Sequence, residues 1–393
     1  MLLFFAFLQS HVYSKNINYK KKLGDHLLIP EGTSVIREFE YQYRKDITGS
    51  LEIPDSVISI GNYAFYCCTS LNGTLKLSKS LKSIGSKAFS ECNFTGPLLI
   101  PDSVIEISSN AFQNCGFNGN LKLPNNLNFT KISPYSFFSC SKLRGTLTIP
   151  NTVTEIGEYA FSFCSNFDGK LILSSKLTTI EDYAFYSCNS FSGSLIIPDT
   201  VEILNDNAFA NCSGFSGSLK LPDSITRIKN RLFYNCFGFN GSLYLPKNVA
   251  IISKESFSNT NFQAVFFDGE KEPNCASNIG LINGQIIQVT ESYKMSSFCS
   301  FEVSGESSQT VPPSETVTPT KSPGITEEGL FHPLILVGIL SILIVITVIV
   351  IAVVFCYKLR KDRKLNGDVT FQTNERNTPL IDTKERRRAS YIT

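Results

Sequence analysis

GSLIIPDTVEILNDNAFANCSGFSG, residues Gly193–Gly217, runs straight into GSLKLPDSITRIKNRLFYNCFGFNG, residues Gly217–Gly241. The second segment repeats the apolar pattern of the first, its cysteine included. Working outward, the same glycine recurs at Gly49, Gly73, Gly96, Gly119, Gly145, Gly169, Gly193, Gly217 and Gly241. Self-similarity at a period of about two dozen residues marks a chain built from stacked repeats, and missing it would misassign the whole fold. The full copy beginning at Gly49 carries Leu51, Ile53, Pro54, Val57, Ile60, Ala64, Phe65, Cys68 and Leu71. Leu27–Phe39 reads as a degraded opening copy. The copy beginning at Gly241 has Thr260 where the cysteine belongs, the drift expected of a terminal repeat.

Leu51 and Ile53 alternate with period two, so both face one side of a short strand. Pro54 removes a ladder donor and ends it. The segments V-x-x-I and A-F-x-x-C are expected to fold back over the strand as turns and single helical turns. A lone copy would leave both apolar flanks in water, and stacking on a neighbour covers them and pairs the strand. The expected fold is an α/β repeat solenoid with short parallel strands and turn or helical connections. Nine copies fill 49–269, between an N-terminal cap over 15–48 and a C-terminal cap over 270–303.

The stretch IPDSVISIGNYAFYCCTSLNGTLKL (Ile53–Leu77) resembles the Treponema pallidum-type leucine-rich repeat of BspA-like surface proteins. The resemblance covers about residues 27–270 and recurs in all nine copies. The glycine before each strand, as in FSGSLIIP, departs from the commonest bacterial form. What the resemblance implies is a cell-surface protein, here a single-pass membrane form, that adheres or captures ligands and does not catalyse.

Cys68, Cys92, Cys115, Cys140, Cys164, Cys188, Cys212 and Cys236 hold one register in the repeat. Stacked coils would place their Cα atoms about 5 Å apart, within disulfide range. Stacked side chains point the same way, however, and free cysteine is a small, readily buried hydrophobe. A buried thiol ladder is therefore the preferred reading over coil-to-coil disulfides. Nothing supplies four converging metal ligands. Cys275 and Cys299 follow the last coil, as a bridge closing the cap or as two free thiols. Cys67 is extra to the ladder and is expected in a groove between coils, and Cys356 is either palmitoylated or a plain membrane-embedded thiol.

Strand positions between the inward ones point outward. One outward column runs Glu52, Lys76, Leu99, Lys122, Thr148, Ile172, Ile196, Lys220 and Tyr244, and Lys170 lies in the column beside it. Lys122, Thr148, Lys170, Ile172, Ile196, Lys220 and Tyr244 form a mildly apolar, basic strip, the candidate partner site. The bland alternative is that β-branched residues merely favour strands. Sequons at Asn72, Asn93, Asn128 and Asn240 are candidate N-glycosylation sites. A fifth, at Asn211, precedes a ladder cysteine and is expected to be too buried.

The chain ends carry their own signals. Residues 1–14, MLLFFAFLQSHVYS, read as a secretory signal, with a simple apolar strand as the competing reading. Residues 304–329 are rich in Ser, Thr, Pro and Glu, the composition of a glycosylatable stalk. Residues 330–357 are expected to form a transmembrane helix, since Leu334–Tyr357 carries no charge and as a helix exceeds the ~30 Å hydrocarbon core. Lys358, Arg360, Lys361, Arg363 and Lys364 follow, so 358–393 is expected to be a cytoplasmic tail. This places the solenoid outside a plasma membrane in type I orientation. RRRAS (Arg386–Ser390) resembles a basophilic kinase site with Ser390 as acceptor, or is a solvated basic end.

The formal net charge of +2 argues against a nucleic-acid partner. The histidines are His11, His26 and His332, so the repeats hold none, and no Ser/His/Asp set exists there. No cofactor and no enzyme activity are expected. The expected partner is a protein or glycan on another cell surface or matrix, in an adhesin-like role. The alternative is a signalling receptor acting through the short tail.

Overall fold

The computed structural model describes residues 22–23, 26–281 and 286–303. The segments expected as signal, stalk, transmembrane helix and tail, with Ser390, lie outside the described residues. Among the described residues no helix is long and apolar enough to cross a membrane.

The coils build three ladders. The first contains the Leu-x-Ile strands: Leu51–Glu52 pairs in parallel with Leu75–Lys76, Leu98–Leu99 with Leu121–Lys122, and Leu147–Thr148 with Leu171–Ile172. Toward the C-terminus the strands lengthen, and Gly217–Lys220, Phe239–Leu245, Ala264–Phe267 and Ile286–Val289 form one parallel sheet. The second ladder uses the Ile of V-x-x-I. Ser59–Ile60 pairs in parallel with Val35–Ile36 on one side and Ser83–Ile84 on the other, and the pattern continues to Asn274–Cys275. The opening copy is thus a paired coil, and coil strands extend past residue 269 into the stretch read as the C-terminal cap.

The third ladder corrects the expected helical turns: A-F-x-x-C contains no helix. In one coil the Ala160, Ser162 and Cys164 amides bond back three residues, to the Gly157, Tyr159 and Phe161 carbonyls. The amides between them cross to the next coil, Tyr159 to Asp182, Phe161 to Ala184 and Phe163 to Tyr186, at 2.8–3.0 Å. Left-handed residues make this alternation, here Tyr159 (φ 53°) and Phe163 (φ 60°), with equivalents in every coil. A helical turn would spend those donors within the coil, whereas the left-handed pair directs them along the stack. The conformation costs a non-glycine residue about 1–2 kcal/mol, offset by the ladder bonds.

The core lies between the three ladders. Tyr41 begins a stack of buried rings that continues through Phe65, Phe89, Phe112, Phe137, Phe161, Phe185, Phe209, Phe233 and Phe257. A second buried stack, Phe167, Phe191, Phe215, Phe239 and Phe262, meets the first edge-on. Two glycines show why that residue recurs before the first strand. Gly193 has φ 77°, and a Cβ on Gly73 would lie 2.5 Å from the Ser50 nitrogen of the preceding coil.

The ladder cysteines are free and buried. Each thiol donates back to a carbonyl of the preceding coil. Cys164 Sγ, for example, lies 3.1 Å from Phe137 O, and Cys188 Sγ 3.1 Å from Phe161 O. That carbonyl already accepts an amide within its own turn, from Cys164 in the case of Phe161. The cysteine therefore fills a small apolar slot and satisfies a second lone pair there. Thr260, in the drifted copy, bonds its own Phe257 carbonyl instead.

Candidate functional site

The outward column of the first ladder holds most of the strip residues. Thr148 and Ile172 are directly paired, and both are exposed. Lys220, Tyr244 and Phe266 are successive partners in the longer sheet, with the Tyr244 and Phe266 rings stacked at 4.9 Å. Ile196 falls between these two ladders, in a stretch that forms no strand, although Leu195 and Ile197 beside it remain buried. Ile172 is 47% exposed and Ile196 60%. Side chains of this size, held outward by buried neighbours on both sides, are available to a partner.

The charge of the strip is less uniform than the sequence suggests. Lys122 is exposed, but its ammonium sits 2.9 Å from Asp102 of the preceding coil. The Asn125 backbone N–H and that ammonium hold the Asp102 carboxyl below the usual carboxylate range. Pro101-Asp102 follows the Leu98–Leu99 strand, and the turn brings the carboxylate alongside the next coil's lysine. Lys122 is thus half of an ion pair, paired through its strand with Leu99, and is not a free cation of the strip. Lys170 and Lys220 are exposed and enter no ion pair among the described residues. Lys76, further up the column, is paired with Glu52. Phe266 belongs to the strip and was missed. The alternation in Ala264–Phe267, with Val265 and Phe267 inward, was the signal that could have found it.

The remaining sites fall as follows. Asn72, Asn93, Asn128 and Asn240 are exposed. Asn72 and Asn240 accept the amides of Gly49 and Gly217 through Oδ1, whereas Asn93 donates Nδ2 to the Thr69 carbonyl. Asn211 is half-buried in an amide ladder, donating Nδ2 to Ser187 Oγ while its Oδ1 accepts from Asn235. Cys275 and Cys299 are joined by a disulfide, with Cα atoms 5.4 Å apart. Among the described residues no group of His, Cys, Asp or Glu could hold a metal ion.

Cys67 stands apart from the ladder. Its thiol is half-buried at one of the left-handed positions (φ 57°), and burial raises its pKa above the ordinary value. Maleimide treatment of the native chain at neutral pH, mapped by mass spectrometry over residues 22–303, is expected to label Cys67 and spare all eight ladder thiols. Label on any ladder cysteine before denaturation would contradict the burial described above.

The family model described as BspA type leucine-rich repeat region, in six copies, matches residues 34–168 and 169–273. No curated protein matches. Among solved structures, a leucine-rich repeat protein from Bacteroides ovatus is similar at 20% identity, over 70% of this chain and 77% of that one, with a TM-score of 0.48. The leucine-rich repeat protein of Treponema pallidum is 23% identical over 40% of this chain and 72% of its own, with a TM-score of 0.35. The pneumococcal vaccine antigen PcpA is 19% identical over 62% and 63%, with a TM-score of 0.39. The family model spans more than half of the sequence, and the chain belongs to the BspA-type leucine-rich repeat family.

Proposed function

We propose that this is a cell-surface recognition protein whose solenoid binds a protein or glycan on another cell or matrix through the outward face of its first ladder. The observation that carries the reading is the strip of exposed Ile172 and Ile196, flanked by Lys170 and Lys220, which enter no ion pair among the described residues, and continued by the Tyr244–Phe266 stack. Contiguous exposed apolar groups on a soluble face mark interaction sites. Two cations beside them favour an acidic partner and raise its rate of encounter. The uncharged run Leu334–Tyr357, with lysines and arginines after it, supports a type I membrane anchor that holds the solenoid outside the cell. Repeat proteins of this kind bind along the extended surface that stacking creates, and chemistry plays no part in that.

The test is binding of the protein to intact cells and to matrix and glycan arrays, followed by substitution. Ile196→Asp combined with Lys170→Glu and Lys220→Glu is expected to lower binding tenfold or more while leaving the melting temperature within a few degrees. Undiminished binding would remove this face from consideration. Lys122→Gln serves as a control and is expected to change little, because its charge is already paired.

A further inference from the structure

The turn ladder carries a second surface, unrelated to the strand face. Tyr135, Tyr159 and Tyr183 occupy its first left-handed position in three successive coils, stacked at 4.8 and 4.6 Å. Phe138, Phe163 and Tyr186 lie beside them, meeting their neighbours at 65–82°. Phe163 is 41% exposed, and the others are half-buried.

Two features mark this patch, and the second separates it from the Phe39, Tyr43, Tyr63 and Tyr66 rings of the first coils, which lie among Arg37, Arg44, Lys45 and Lys87. The first is the residue at the second left-handed position. Asn114, Asn211, Asn235 and Asn259 hold it in four coils, and asparagine tolerates positive φ best among non-glycine residues; Cys67 and Glu91 hold it in two more, and the opening coil places another exposed aromatic, Tyr43, there. Phe163 occupies this position with φ 60° and is partly open to solvent. A bulky aromatic in this conformation is uncommon and works against stability, which makes function the reason to look for. Ser139 and Ser187 hold the same position one coil to either side, so no ring stacks on it there, and the Phe138 and Tyr186 rings meet it edge-to-face at 5.6 and 5.3 Å.

The second feature is charge. Across four consecutive turns, residues 133–140, 157–164, 181–188 and 205–212, the charged residues are Glu158, Glu181, Asp182 and Asp206, and none is basic. Glu158 lies against the Tyr135 hydroxyl, and both Glu158 and Asp182 act on Tyr159. Asp182, Asp206 and Glu181 accept hydrogen bonds from the next coil, which fixes the carboxylates without neutralising them. Two cations of the flanking coils are held in ion pairs, Lys131 with Glu155 and Arg231 with Glu255.

We infer that this aromatic, acidic face docks an arginine-bearing segment of a partner protein. The chemistry selects arginine over lysine. A guanidinium is planar, lies flat against an aromatic ring and forks onto a carboxylate, whereas an ammonium is a compact and strongly hydrated point charge. The three stacked tyrosines cover one another's inner faces, so a flat sugar cannot slide between them. Phe163, the most exposed of the six rings, supplies the ring surface that a guanidinium can reach.

The test uses the purified full chain and fluorescein-labelled hexa-arginine and hexa-lysine peptides, read by fluorescence anisotropy at about 0.15 M salt. Hexa-arginine is expected to bind at least tenfold more tightly than hexa-lysine. Phe163→Asn is expected to bring hexa-arginine down to the hexa-lysine level and, by relieving the left-handed phenylalanine, to raise the melting temperature. Glu158→Gln with Asp182→Asn is expected to weaken both peptides. Equal affinity for the two peptides, or unchanged arginine binding in Phe163→Asn, would overturn the proposal. So would loss of binding accompanied by a lower melting temperature, since that reports damage to the fold. Tighter binding of a neutral oligosaccharide than of hexa-arginine would assign the face to glycans and overturn it as well.

Discussion

Raising the pH above 9 is expected to unfold the solenoid cooperatively, with a midpoint near pH 10 at 25 °C. The cause is the thiol ladder. Burial pushes the Cys140 and Cys236 thiols up to about 12, and Cys68 as well, against an ordinary value of 9.0. Cys92, Cys115, Cys164, Cys188 and Cys212 lie well above that value for the same reason. Between pH 9 and the folded values, the unfolded chain has released protons that the folded chain still holds. The contribution to stability is fully present below pH 9 and is lost as the pH rises. Each thiol costs about 1.4 kcal/mol per pH unit, so eight together cost about 11 kcal/mol per unit. A typical domain is stable by about 5–15 kcal/mol, which one pH unit removes. Far-UV circular dichroism at equilibrium follows the fold, and absorbance at 240 nm follows thiolate. The two should change together in one step. A gradual thiolate signal within an intact fold, or an unaltered fold at pH 11.5, would mean that the thiols are not sealed as described.

The same ladder marks how far the sequence could be read. Period, inward columns and cysteine register depend on residue type alone, and each repeats often enough to be seen. Leu51, Ile53, Phe65 and Cys68 announce their burial because their equivalents recur in coil after coil. The second strand was not legible, because a two-residue element such as Glu155–Ile156 is too short to show alternation. The left-handed turns were hidden for a different reason. Positive φ is usually flagged by glycine or asparagine, but here Tyr159, Lys87 and Glu255 adopt it under the pull of coil-to-coil hydrogen bonds. Without that sign, Ala-Phe-x-x-Cys looks like one turn of helix. Thr148, Ile172 and Lys220 were read as outward-facing and are exposed, yet the pairing of Lys122 with Asp102 depends on a turn of the neighbouring coil and cannot be seen in either segment by itself. The aromatic face went unread because its residues come from three coils whose adjacency only stacking reveals.

Phe185→Ala is expected to cost about 3–5 kcal/mol, the range for truncating a large buried ring, and to break the unfolding transition in two. Phe185 is fully buried, 5.5 Å from Phe161 on one side and 5.3 Å from Phe209 on the other. It also meets Phe191 of the second stack edge-on. A coil touches only its neighbours, so stability is a sum of coil and interface contributions. A hole in mid-stack weakens two interfaces at once and uncouples the coils before it from those after it. Phe257→Ala removes the same atoms from the end of the stack, where the ring has one partner in that stack, Phe233. That change is expected to fray the last coils and leave the main transition single. Guanidinium unfolding followed by hydrogen exchange separates the cases, with early exchange centred on residues 157–212 in Phe185→Ala and confined to the C-terminal coils in Phe257→Ala. If both variants lost similar stability in one shared transition, the strand ladders would be transmitting cooperativity without the rings. If Phe185→Ala cost less than about 1 kcal/mol, the rings would be filling space that the backbone ladders already hold closed.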